Sequence, residues 1–141
     1  MRPRRLPEPP QRLDLHRRPI ADGEVYVAFH IVTTDELGSE DLLTSFKSRR
    51  ATGLPPREWT QEGTNPEIAE GISAYQTREA ANATALKTLA RGRAIGEYVA
   101  ELHLRAGQGV EIAEWGPNGH LTIWGDPLML SSQVVDIVPV T

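Results

Sequence analysis

A chain of 141 residues, 39% apolar and 24% charged, has the size and composition of one globular domain around one core. It contains no cysteine, which excludes disulfides and thiolate metal sites, and no run approaches the ~20 apolar residues of a membrane span. The net charge of −4 is uneven: residues 1–20 carry six arginines against Glu8 and Asp14, leaving a body of about −8 that disfavours a nucleic-acid face on the folded part. A cysteine-free chain without a span fits a reducing, cytoplasmic setting.

Residues 1–20 are rich in arginine and proline and poor in apolar pattern, which predicts a disordered arm, with a single domain over 21–141. No apolar stretch follows the arginines, so the arm does not read as a secretory signal. It is either a basic tether for an acidic partner or nucleic acid, or an unstructured extension.

Val25 to Val32 predicts the first strand. Val25, Val27, Phe29 and Ile31 share one face, and Tyr26, Ala28, His30 and Val32 share the other. Both faces are mostly apolar, as in a central strand. His30 is then a polar group in an apolar setting and needs a partner, either a core hydrogen bond or a ligand. Ser39 predicts a helix cap, with Leu42, Leu43 and Phe46 on the buried side through about Lys47. Thr52 to Pro66 reads as a long loop anchored by Trp59, and Asn65-Pro66 as the opening of a single helical turn.

Ile72 to Tyr75 alternates as a half-buried strand, and Thr77 predicts the N-cap of the next helix, with Glu79 in its first turn. Ala80, Ala83, Leu86, Leu89 and Ala90 recur at helical spacing and predict its buried stripe, with Gly92 at its end. Ser73 and Tyr75 share a face beside this helix start, where unpaired N–H groups favour an anion such as phosphate. The plainer reading is a sheet–helix packing joint with the Tyr75 hydroxyl bonded to backbone.

Tyr98 to Leu104 predicts a strand with Tyr98, Ala100, Leu102 and Leu104 inward. Glu101 and His103 are two apart on its other face, which reads as a solvated ion pair rather than a catalytic dyad. Val110 to Trp115 and His120 to Trp124 are further strands, the second with His120, Thr122 and Trp124 on one face. Gly125-Asp126-Pro127 reads as a break, and Val134 to Val140 as a last strand at an edge, because of Pro139. Phosphate-loop, dinucleotide-loop, zinc-protease and serine-hydrolase signatures are all missing.

From His30 onward the order is a strand bearing a histidine, a helix, a long loop, the strand GISAY, a helix, and then YVAELHL, HLTIW and VVDIVPV. This order resembles the compact ADP-ribosyltransferase fold, including its RNA 2′-phosphotransferase branch. Over about residues 25–140 the chain also resembles small uncharacterised bacterial proteins with a GLSVY…GHYTLWGDP…VVPV pattern, here GISAY, GHLTIWGDP and DIVPV. The transferase resemblance implies that a first-strand histidine, here His30, holds the NAD ribose. It also implies that a hydroxyl on a later strand, here Ser73 or Tyr75, lies near the nicotinamide. The late acidic residue of such enzymes has no matching Glu on the final strands; Asp126 lies in a turn and Asp136 in the last strand.

The expected fold is therefore α+β: one strongly twisted central sheet of five to seven strands with two or three helices, similar to ADP-ribosyltransferases. The expected function is an NAD-dependent ADP-ribosyl or related transferase, including toxin-like enzymes, with a nucleotide-like small molecule as its ligand. The alternative is a non-catalytic protein–protein module, the partner or neutraliser of a neighbouring gene product in the manner of a toxin–antitoxin pair. Tyr75, His120 and Asp126 are the candidate catalytic residues. His30, Ser73 and Thr77 are the candidate NAD-holding residues.

Overall fold

The computed structural model describes residues 16–48, 51, 66–92, 95–115 and 119–141. The expected loop anchor Trp59 and the cap Asn65 lie outside the described residues. In chain order the elements are β1 (Arg18–Pro19), β2 (Val25–Val32), α1 (Glu40–Ser45), α2 (Pro66–Ala69), β3 (Ile72–Tyr75) and α3 (Arg78–Ala90). They are followed by β4 (Tyr98–Arg105), β5 (Glu111–Glu114), β6 (His120–Trp124), α4 (Pro127–Ser132) and β7 (Val134–Pro139). The α+β architecture expected from the sequence is present. Seven strands form one sheet in the order β1-β5-β6-β3-β2-β4-β7. All neighbours are antiparallel, and the sheet is not closed into a barrel.

The two faces of β2 explain its central place. Ala28 and Val32 enter the larger core with Leu42, Phe46, Ile72, Ala74, Leu102, Leu121, Ile123 and Leu130, under α1 and α4. Ile31 enters a smaller core on the other face with Tyr75, Val99, Ala81 and Ala85, under α3. α1 starts where expected, the Ser39 hydroxyl accepting from the Leu42 amide at 3.1 Å. α3 starts at Thr77, whose hydroxyl accepts from the Ala80 amide at 3.1 Å.

Three expectations are corrected here. The buried stripe of α3 is Ala81 and Ala85, while Leu86 and Leu89 are 41% and 59% exposed. The face with small side chains lets the helix lie close to the large groups Phe29, Tyr75 and Val99 on the sheet. Second, the arm does not extend to residue 20: Arg18 and Pro19 pair with Ile112 and Glu111 as an added edge strand, and Ile20 is buried in the larger core. Third, Gly125-Asp126-Pro127 ends β6 but also starts a helix. The Asp126 carboxylate accepts from the Leu128 and Met129 amides at 2.9 and 3.3 Å, with Pro127 at the first helical position.

The entry into β3 depends on Gly71. A Cβ there would lie 2.5 Å from Thr122 Cγ2 and 2.8 Å from the Ile123 carbonyl, so no larger residue lets β3 come in beside β6. The Trp124 indole seals that corner by donating to the Glu67 carbonyl at 2.7 Å.

Candidate functional site

The sheet is not evenly stitched. β2 pairs with β4 through eight residues, from Val25↔Arg105 to Val32↔Tyr98, but with β3 through the single pair Phe29↔Tyr75. Beyond that pair β2 and β3 part. His30 Nδ1 lies 2.7 Å from the Ser73 carbonyl, and Nε2 lies 2.6 Å from the Ser45 carbonyl at the end of α1. The imidazole thus replaces the missing ladder bond and ties three elements together. A neutral ring carries one N–H and donates to one of these carbonyls at a time, whereas an imidazolium satisfies both. Burial pushes His30 below the ordinary imidazole value, and the two carbonyls oppose that shift.

A cavity of about 380 Å³ opens at this parting, lined by His30, Ile31 and Thr33 from β2 and its end, Asp41, Thr44 and Ser45 from α1, Ser73 and Tyr75 from β3, and Ile95. The sequence places His30, Ser73 and Tyr75 correctly in one pocket, but not their relation. Phe29 is opposite Tyr75, so His30 points to the other face of the sheet and meets the carbonyl of Ser73 rather than its hydroxyl. The Tyr75 residue is only 8% exposed, and its hydroxyl has no hydrogen-bond partner among the described residues.

β6 supplies the next layer. Tyr75 pairs with His120 and Ser73 with Thr122 across the β3–β6 ladder. The Ser73 hydroxyl and His120 Nε2 are hydrogen-bonded along the diagonal. The His120 ring stacks on Tyr75, with centroids 4.9 Å apart and planes 10° apart, and is flanked by Trp115 at 4.2 Å. Trp115 is itself fixed by donating its indole N–H to the buried Thr122 hydroxyl at 2.7 Å. Burial between these rings pushes His120 down to about 4, so the imidazole is neutral at pH 7.

Two candidates lie elsewhere. Thr77 is occupied as the cap of α3, and its hydroxyl does not line the cavity. Asp126 caps α4 and lines a second cavity of about 880 Å³ between α1 and α4, so its carboxylate is not part of the Ser73–Tyr75–His120 cluster. Conversely, Thr33, Asp41, Thr44 and Trp115 belong to the site and were not singled out from the sequence. Thr44 and Asp41 lie off the Leu42–Phe46 face of α1, the one signal that could have marked them, but nothing local says that this side of α1 borders β3.

Glu101 and His103 pair, as expected, but in a half-buried cluster rather than on a fully solvated face: their side chains meet at 2.7 Å, and Arg78 reaches the same carboxylate at 2.9 Å. No described helix is long and apolar enough to cross a membrane.

In comparisons with protein-family models, curated proteins and solved structures, nothing matches this chain.

Proposed function

We propose that the chain is an NAD-dependent ADP-ribosyl or related transferase, and that the parting between β2 and β3 takes the ribosyl part of the dinucleotide. The observation that carries this reading is Tyr75, a largely buried residue on the wall of the cavity whose hydroxyl has no hydrogen-bond partner among the described residues. A buried hydroxyl without a partner costs roughly 1–3 kcal/mol, which a ligand hydroxyl would recover. Thr33, Thr44, Ser45 and Ser73 add hydroxyl-bearing residues to the lining, and Asp41 adds a carboxylate.

The cavity of about 380 Å³ is at the small end of the ~300–1,000 Å³ of ligand sites, so it suits a nucleoside-sized fragment and leaves the pyrophosphate at the mouth. No arginine or lysine is among its described lining residues. Within this reading His30 shapes the pocket by holding α1 against β3, since both its nitrogens face backbone carbonyls. Tyr75 and Ser73 orient the ribose. Asp41 faces the positive charge that builds on the ribosyl carbon as the nicotinamide bond breaks, the role for which the transferase resemblance leads one to look late in the chain.

The test is a thermal-shift titration with NAD, followed by an assay for released nicotinamide. A ligand at 100 times its dissociation constant adds about 2.7 kcal/mol to the stability of the native state, which raises the melting temperature. Tyr75→Phe should remove most of that rise while leaving the fold intact. No rise at millimolar NAD would end the reading.

A non-catalytic protein–protein module is the second reading. It is favoured by the larger cavity between α1 and α4, which is flanked by the exposed Leu37 and Leu128. A melting-temperature rise with NAD but no nicotinamide release would place the chain among binding-only relatives of the transferase.

A further inference from the structure

We propose that Ser73 is a nucleophile with His120 as its base, and that the pair cleaves small carboxylic esters of polyhydroxylated alcohols. This goes beyond the transferase reading and stands on different observations. Ser73 is exposed at the cavity, and its hydroxyl is hydrogen-bonded to His120 Nε2. The histidine is held in one plane by the Tyr75 stack at 4.9 Å and by Trp115 at 4.2 Å, and Trp115 is anchored in turn on Thr122. A serine bonded to a base that is oriented by a third group is the arrangement from which covalent acyl transfer proceeds.

The other cavity serine lacks this arrangement. The Ser45 hydroxyl donates to the Asp41 carbonyl at 3.2 Å and lies 3.4 Å from the Thr33 hydroxyl, and among the described residues no base is bonded to it, since His30 meets the Ser45 carbonyl instead. The neutral state of His120 fits the role, because Nε2 can then accept the serine proton. A base of this low affinity for protons gives a modest rate. The alcohol part of the ester is assigned from the lining: Thr33, Thr44 and Asp41 suit a sugar or ribosyl hydroxyl better than an aliphatic chain.

Ser73 Oγ attacks the acyl carbon while its proton passes to His120 Nε2. The ester C–O bond breaks, and the leaving alkoxide takes that proton back from His120. Water, deprotonated by His120, then hydrolyses the acyl-serine and releases the carboxylic acid. No oxidant or metal is required.

The test uses the full chain and two probes. A fluorophosphonate should label wild-type protein once, at Ser73 by peptide mass. Ser73→Ala should lose the label, and the surface control Ser131→Ala should keep it. His120→Gln keeps a polar group against Ser73 and should slow labelling on the order of 10²-fold, the low end of general-base effects; its melting curve separates this from unfolding. p-Nitrophenyl acetate should leave an acetyl group on Ser73 that is detectable by intact mass. Absence of label at Ser73, or labelling at the same rate in folded His120→Gln, overturns the proposal. Neither probe needs NAD: label with no NAD response supports the nucleophile and ends the transferase reading, and the reverse result does the opposite.

Discussion

His120 makes the stability of this protein depend on pH in a way that can be worked out. Burial moves its pKa from 6.5 to about 4. The unfolded chain therefore binds a proton in that range which the folded chain refuses, and stability must fall with falling pH. The contribution is fully present above pH 6.5 and is lost progressively between 6.5 and about 4. At 1.36 kcal/mol per tenfold change the full effect is ~3 kcal/mol. Two features reduce it: part of the ring still meets solvent, and the faces of Tyr75 and Trp115 attract an imidazolium. A net loss of roughly 2 kcal/mol is expected, a large share of the ~5–15 kcal/mol of an ordinary domain. His30 shifts in the same direction, so the comparison must isolate His120. Urea unfolding of wild type and of His120→Gln, at pH 7 and pH 4.5, does so. The wild type should lose more stability than the variant by most of that amount, and the His120 ring resonances should titrate near pH 4. Parallel losses in the two proteins, or a ring titration at pH 6 or above, would refute the reasoning.

Other predictions follow from packing. Trp124 is 5% exposed and bonded to the Glu67 carbonyl, so Trp124→Ala should cost about 3–5 kcal/mol in chemical denaturation and Trp124→Phe about 1–2 kcal/mol. Ile20 is 4% exposed, and Arg17 stacks 4.2 Å above the Trp124 ring, so deleting residues 1–20 should lower the melting temperature and Ile20→Ala alone should cost about 2–5 kcal/mol; an unchanged melting curve would show that this segment does not pack on the body. Leu86→Lys and Leu89→Lys should each change stability by less than about 0.5 kcal/mol, whereas Ala81→Leu should cost about 1–3 kcal/mol by overpacking; equal effects would restore the leucine stripe as the buried face.

The sequence by itself determined the local structure. Alternation set the strands from Val25, Ile72, Tyr98 and His120 onward, and short polar side chains set two caps, at Ser39 and Thr77. Those signals are complete within a few residues, because pleat and capping bonds involve only near neighbours. Asp126 was legible by the same rule, since an aspartate before a proline marks a helix start as well as a strand break. Pattern also put Ser73 and Tyr75 on one face of β3, because they sit two apart on a strand, but it did not show that His30 meets Ser73 from the opposite face.

Tertiary structure decided the rest. α3 carries two stripes that periodicity cannot rank, and the alanines won because a close approach fills the space around Tyr75 and Phe29. The parting of β2 from β3 follows from where α1 and His30 sit, not from either strand. The partners of His30 are backbone carbonyls, 15 and 43 residues away, and a carbonyl looks the same in every sequence. The Ser73–His120 bond joins residues 47 apart through a ladder register that a one-residue slip would have abolished, since such a slip turns every side chain to the opposite face.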